Sequence, residues 1–335
     1  MNEQLSAPAP FSFELFPPRS PAAEESLYET IRVLAAAGPD FISVTYGANG
    51  SSRDRSLAVL RHLLERTGVS PLAHLTCVGS SHAEASRLVR EFLEAGVTDF
   101  LALRGDPPKG LSEGEPFLGD LGSAAELVQL IDRVQAEREQ YDIVPSRGSQ
   151  RAGVLRRPRR RVRIAVAAFP NGHPRDTRQN QDIDSLLAKQ TAGATFAITQ
   201  LFFHAEDYLG FVARARAGGV TMPILPGLMP VTSPARLLRT LELSDERMPR
   251  ELARDLERAA SPEEQFAVGV DHATRLAGEV LAGGAPGLHL YTLNRHRAAM
   301  AVLEGVGLIP SPSPAQTPPV QTPPARPENH IEETI

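Results

Sequence analysis

Short runs of apolar, β-branched and aromatic residues recur along the chain. They read "FSFELF" (11–16), "DFISVTYG" (40–47), "SPLAHLTC" (70–77), "DFLALRGD" (99–106), "RIAVAAFP" (163–170), "FAITQLFF" (196–203), "PILPGLMP" (223–230) and "GLHLYTLN" (287–294). Runs of this length and composition predict buried strands. The segments between them have helical period. In "SAAELVQLIDRV", Ser123 and Glu126 form a capping box, and Leu127, Leu130, Ile131 and Val134 share one helix face. Leu88, Val89, Phe92 and Leu93 do the same in "HAEASRLVREFLEA". Ser261 followed by Pro262 opens another helix. Strands alternating with helices predict a parallel sheet, and eight such units point to closure into a single-domain (βα)8 TIM barrel. The alternative, an open doubly wound sheet, is weakened because neither a G-x-G-x-x-G nor a G-x-x-x-x-G-K-[ST] phosphate loop occurs.

Two segments break the rhythm. Residues 140–163 read as a surface insertion, with eight arginines and no acid from Ser146 to Arg163. Residues 309–335 carry eight prolines and read as a disordered or polyproline-like tail. The organisation expected is an N-terminal extension over 1–10, a barrel over 11–308 and this tail.

Composition adds exclusions. With 335 residues, 41% of them hydrophobic, the chain can bury a large core, and its net charge of −5 argues against a nucleic-acid binder. Its one cysteine, Cys77, precludes an internal disulfide. No basic-then-apolar leader and no apolar run of roughly 18 residues is present, so the expectation is a cytoplasmic protein without a membrane partner. Lys109 and Lys189 are the only lysines, so the arginine richness is a compositional bias with little functional content.

In such a barrel, polar residues at the C-terminal strand ends form the active site. That rule selects Glu14, Thr45, His74, Arg104, Asp106, His173, Gln200, Tyr291 and Arg295. Each has an ordinary reading on its own: a hydrogen-bonded histidine, a turn ion pair, a solvated lysine at Lys189. Their shared placement at one rim is what marks a site. Glu14 stands out, because a carboxylate inside an apolar run costs several kcal/mol unless it is paired, protonated or turned to water. No H-x-H or H-E-x-x-H metal motif and no G-x-S-x-G elbow occurs. Acid–base chemistry, or an organic cofactor held by polar edges, remains.

"FELFPPR", "SVTYGANG", "HLTC", "ALRGD", "FPNGHP", "AITQLFF", "PGLMP" and "YTLNR" occur in this order. Together they resemble the 5,10-methylenetetrahydrofolate reductases over about residues 11–306. The resemblance implies an FAD-dependent barrel enzyme that reduces methylenetetrahydrofolate to 5-methyltetrahydrofolate with NADH or NADPH by ping-pong hydride transfer, feeding methionine synthesis. It implies that Glu14 is the general acid and that Asp106 lies near the flavin and the pterin. Flavin contacts fall on Thr45, Tyr46, Ala48, His74, Arg104, Gly105, Asp106, Phe117, Ala167, Phe169, His173, Asp182 and Lys189. Gln200, Tyr291 and Arg295 fall around the folate or nicotinamide.

A proton is needed as the folate ring opens to a methylene-iminium. On this reading Phe13, Leu15 and Phe16 surround Glu14 and raise its pKa, while Asp106 stays ionised to stabilise the cation. A homo-oligomer is expected, as is the absence of the S-adenosylmethionine-binding regulatory domain of the larger eukaryotic members. Arg236 and Thr240 depart from the family's bacterial pattern. The readings held against this one are another flavin-linked barrel, such as a proline dehydrogenase-like oxidase, a lyase, and a non-enzymatic barrel.

Overall fold

A computed structural model describes residues 8–45, 50–107, 117–141, 161–172, 180–244 and 246–311. The elements run β1 (Phe11–Leu15), α1 (Pro21–Ala36), β2 (Phe41–Val44), α2 (Gly50–Arg66), β3 (Ser70–Thr76), α3 (His82–Glu94), β4 (Asp99–Leu103), α4 (Ala124–Tyr141), β5 (Arg163–Ala168), α5 (Gln181–Thr191), β6 (Phe196–Leu201), α6 (Ala205–Ala217), β7 (Ile224–Leu228), α7 (Pro234–Ser244), α8 (Arg250–Arg258), α9 (Pro262–Ala282), β8 (Leu288–Tyr291) and α10 (His296–Gly305). All eight apolar runs form strands. They pair in parallel in sequence order and close as β1 meets β8. Among the described residues, the β7–β8 connection alone has more than one helix, with α7, α8 and α9 in series.

Local chemistry sets these boundaries. Ser20, Ser81 and Ser261 accept backbone N–H bonds at the starts of α1, α3 and α9, and Ser81 with Glu84 completes a capping box. Ser123 Oγ accepts from Glu126 N, as the sequence predicts, while the Glu126 carboxylate takes the N–H of Gly122. Period-two alternation sorts each strand. Phe11, Phe13 and Leu15 of β1 join the helix-facing core with Leu27, Ile31 and Leu34 of α1. Phe41, Leu72, Leu101, Ala165, Phe196 and Ile198 form a second apolar cluster, supplied by the strands alone, that fills the barrel.

Beside that plug, the Arg163 guanidinium binds the buried Asp99 carboxylate (Nε to Oδ2, 3.0 Å) and Asp40 (2.8 Å), with its Cζ 5.7 Å from the Phe41 ring centroid. Arg163 is therefore the first residue of β5 rather than the last of a surface insertion, and α4 extends to Tyr141. The rest of the arginine-rich stretch, 142–160, lies outside the described residues. Ile309 also departs from the sequence expectation: it is buried in the main core rather than opening the tail. Among the described residues no helix is long and apolar enough to cross a membrane.

Candidate active site

Ser12 and Glu14 alternate with the outward-facing phenylalanines of β1. The Glu14 side chain, 17% exposed, meets groups from three other strands. His74 Nε2 of β3 stands 3.6 Å from Glu14 Oε2, and His289 Nε2 of β8 stands 3.8 Å from the same oxygen. These are ion-pair distances, too long for hydrogen bonds. Both Nε2 atoms, with Ser43 Oγ of β2, are buried and lack a hydrogen-bond partner among the described residues. Burial alone would raise the pKa of Glu14, but His289, His74 and Ser43 outweigh it and hold the carboxyl below its ordinary range.

The expected apolar pocket around Glu14 is thus corrected. Phe13 and Leu15 point away because adjacent strand residues face opposite sides, and the shift runs downward. Phe16 does line the cavity with Glu14. His74 is itself pushed below the usual histidine range by burial, against the pull of Glu14.

That cavity, about 280 Å³, is lined by Glu14, Gln200, Met229, Tyr291 and Leu293, with Arg236, Arg239 and Thr240 of α7 on one side. Gln200 Oε1 accepts the Leu201 N–H (2.9 Å), which leaves its amide NH₂ as the group available to a ligand. The Tyr291 hydroxyl donates to the Thr199 carbonyl (2.7 Å); burial, then the Glu14 charge, raises its pKa well above the ordinary value.

The "YTLN" turn is tied to β1. Thr292 Oγ1 donates to the Glu14 carbonyl (2.8 Å), and Asn294 clamps Phe16 through both its amide oxygen and nitrogen. Leu293 and Asn294 lie in the left-handed region at φ 51° and 56°. Asn tolerates this, whereas Leu at the cavity wall is strained, as residues at functional sites often are.

A second cavity, about 500 Å³, opens at the ends of β4 and β5. It gathers Arg104, Gly105, Asp106, Ala167, Phe169, Asp182 and Lys189, all nominated from the sequence, beside Gln181 and Ser185. Lys189 is not a solvated lysine: its Nζ donates to the Ala167 carbonyl (2.9 Å). Asp182 lies 3.7 Å from the Arg214 guanidinium. Gly105 has φ 83°, and a Cβ there would meet Val78 Cγ2 at 2.5 Å, so "LRGD" requires glycine at this turn.

Thr45 and Phe117 line neither cavity. The Thr45 N–H donates to Leu15 O, and the Phe117 carbonyl accepts from Gly79. Arg295 caps α10, exposed, near enough to Arg236 to help lower its pKa after burial. Tyr46, Ala48 and His173 lie outside the described residues.

Sequence reasoning missed Ser12, Ser43, His289 and Arg239. The signal for His289 is plain in "GLHLY": it is two residues before Tyr291, on the same strand face.

These features define a (βα)8 barrel with a mostly buried carboxylate, flanked by two histidines, at its C-terminal mouth. Comparison with known proteins narrows the class. The family model described as methylenetetrahydrofolate reductase matches residues 2–307. The 5,10-methylenetetrahydrofolate reductase of Pectobacterium carotovorum is 33% identical, over 89% of this chain and 90% of its own length. That of Escherichia coli is 31% identical over 89% and 91%. The chain belongs to the methylenetetrahydrofolate reductase family, a family of oxidoreductases. Among solved structures, an uncharacterized Clostridium thermocellum protein that binds two copies of 5-methyl-5,6,7,8-tetrahydrofolic acid shares the fold. Its TM-score is 0.56 at 14% identity, over 90% of this chain and 94% of that one.

Proposed function

We propose that the protein reduces 5,10-methylenetetrahydrofolate to 5-methyltetrahydrofolate, with hydride passing from NADH or NADPH through bound FAD in a ping-pong cycle that supplies methionine synthesis in the cytoplasm. The observation that carries this reading, beside family membership, is the pair of cavities at the mouth. One holds a carboxylate among imidazoles with an amide and a phenol; the other sets two cations, Arg104 and Lys189, beside two carboxylates, Asp106 and Asp182, against a wall of small residues.

The larger cavity suits a flavin dinucleotide. The Arg104 guanidinium and Lys189 ammonium match a diphosphate, and Gln181, Asp182 and Ser185 match sugar and ribityl hydroxyls. Ala102, Ala125, Ala167, Ala168 and Ala188 leave flat space beside them. Bound there, FAD supplies the hydride store that connects donor and folate. Asp106, exposed at the edge of this cavity, places negative charge where cationic character develops on the opening folate ring. The Gln200 amide and the Tyr291 ring orient the substrate, and Glu14 gives a proton to the ring nitrogen that leaves as a neutral amine.

Two measurements test this. Heat denaturation followed by chromatography of the supernatant is expected to release FAD; release of FMN, or of no flavin from protein made with ample riboflavin, overturns the cofactor. Anaerobic stopped-flow absorbance then separates the half-reactions. In Glu14→Gln, flavin reduction by NADH is expected to survive, while reoxidation by methylenetetrahydrofolate falls by about 10²-fold or more, the scale of a lost general acid. Equal slowing of both halves would make Glu14 a structural residue.

A further inference from the structure

A carboxylate held below its ordinary range is a poor standing acid, so the proton that Glu14 delivers needs a source beside it. Ser12 and His289 lie behind it. Ser12 Oγ is 3.2 Å from the Leu288 carbonyl and 2.8 Å from His289 Nδ1. A hydroxyl carries one hydrogen, and a carbonyl can only accept. Donation to Leu288 makes the serine oxygen an acceptor for Nδ1–H, which fixes the imidazole tautomer. The ring has little freedom to turn: it stacks on Phe41 at 5.7 Å and meets the edge of Tyr291 at 5.2 Å.

With Nδ1 protonated, a neutral His289 presents a bare lone pair at Nε2, buried, unpartnered and 3.8 Å from Glu14 Oε2. An ionised Glu14 opposite it would set lone pair against lone pair at a fully buried imidazole nitrogen, which is costly. A single proton between the two removes the conflict whichever atom carries it. We infer that Glu14 and His289 act as one proton-holding pair, with Ser12 setting the tautomer that makes His289 the partner of the acid. His289 and Ser12 are positioning residues here, since Glu14 alone meets the substrate.

The step balances. The O–H bond of Glu14 breaks and an N–H bond forms on the folate nitrogen, which keeps the electron pair of its cleaved C–N bond. One proton from solvent then restores the pair. The titratable groups facing the pair are His74 from β3 and Tyr291 from β8, with Ser43 from β2 adding a hydroxyl. The Arg163 guanidinium, held by Asp99 and Asp40, also packs on the Phe41 ring that His289 stacks on.

This inference rests on the folate-reductase reading, and its test keeps the two apart. Histidine-selective ¹⁵N labelling of the holoprotein reads the His289 ring nitrogens directly. The expected result is a proton-bearing Nδ1 and an Nε2 signal between the bare and protonated limits, moving to the bare limit in Glu14→Gln. A bare Nδ1 with a fully protonated Nε2 overturns the inference, because His289 would then be a fixed donor to a permanently ionised Glu14.

The kinetic arm uses the pH profile of flavin reoxidation by methylenetetrahydrofolate. In Ser12→Ala and His289→Gln its alkaline limb is expected to shift down by about one pH unit, a tenfold loss above it. An unmoved limb in both variants, or equal slowing of the two half-reactions, also overturns it. If the unmodified protein fails to react with folate, the functional reading falls, and the nitrogen signals still decide whether the pair shares a proton.

Discussion

Gly227 shows how a single missing methyl group shapes the site. A Cβ at this position would lie 2.3 Å from the Thr199 carbonyl oxygen and 2.7 and 2.8 Å from Cε2 and the hydroxyl of Tyr291. That same carbonyl accepts the Tyr291 hydroxyl bond. The glycine of "PGLMP" therefore lets the phenol cross the barrel mouth and reach β6. Gly227→Ala is expected to displace the ring, lower stability by about 1–3 kcal/mol as overpacking does, and raise KM for the folate. Urea unfolding alongside steady-state kinetics checks it; unchanged values in both would show that the ring relaxes without consequence.

At the scale of elements, α9 was legible from its cap, but its chemistry was not. Ser261 accepts the Glu264 N–H, and the buried face carries Ala273, Leu276, Ala277 and Val280. His272 comes from the same helix and packs near Phe203, just after β6, with ring centroids 6.4 Å apart. Burial, then the positive charges of Arg275 and His204, lower its pKa from 6.5 to about 4. The folded value lies below the unfolded one, so between these two pH values the unfolded chain binds more protons. Stability therefore falls as pH drops from about 6.5 towards 4, by up to about 3 kcal/mol from this group. His272→Gln is expected to remove that slope: relative to the unmodified protein, its urea midpoint improves as pH is lowered from 7 to 4.5. Parallel midpoint curves would show that α9 tolerates the charged imidazole.

At the scale of the molecule, the barrel holds its own ends together. Ile309 is 9% exposed and belongs to the main core, four residues beyond the end of α10. Deleting residues 312–335 is expected to leave folate turnover within about twofold, since every site and core residue named above precedes them. Deleting 309–335 removes that anchor as well, costs about 2 kcal/mol of apolar burial and lowers the melting temperature by several degrees. A large loss of turnover from the shorter deletion would assign the proline-rich segment a role in the enzyme.

The chain's own pattern determined the eight strands, their parallel order and the closed barrel, because periodicity and capping act over a few residues. Alternation in "FSFELF" also separates Ser12 and Glu14 from the phenylalanines that serve the core. The strand-end rule placed Arg104 and Asp106 at the larger cavity, and the family resemblance added Gly105, Ala167, Phe169, Asp182 and Lys189, which lie at the ends of β4 and β5 and on α5. What only the tertiary structure decided was the acidity of Glu14. Its sequence neighbours are apolar, yet they face the other side of the sheet. The groups that set its charge arrive from β2, β3 and β8. Ser12 and His289, which face each other behind it, are 277 positions apart. A buried carboxylate responds to the dipoles and charges within about 4–6 Å, whatever their distance along the chain. Closure of β8 onto β1 selects those groups, and with them the direction of the shift.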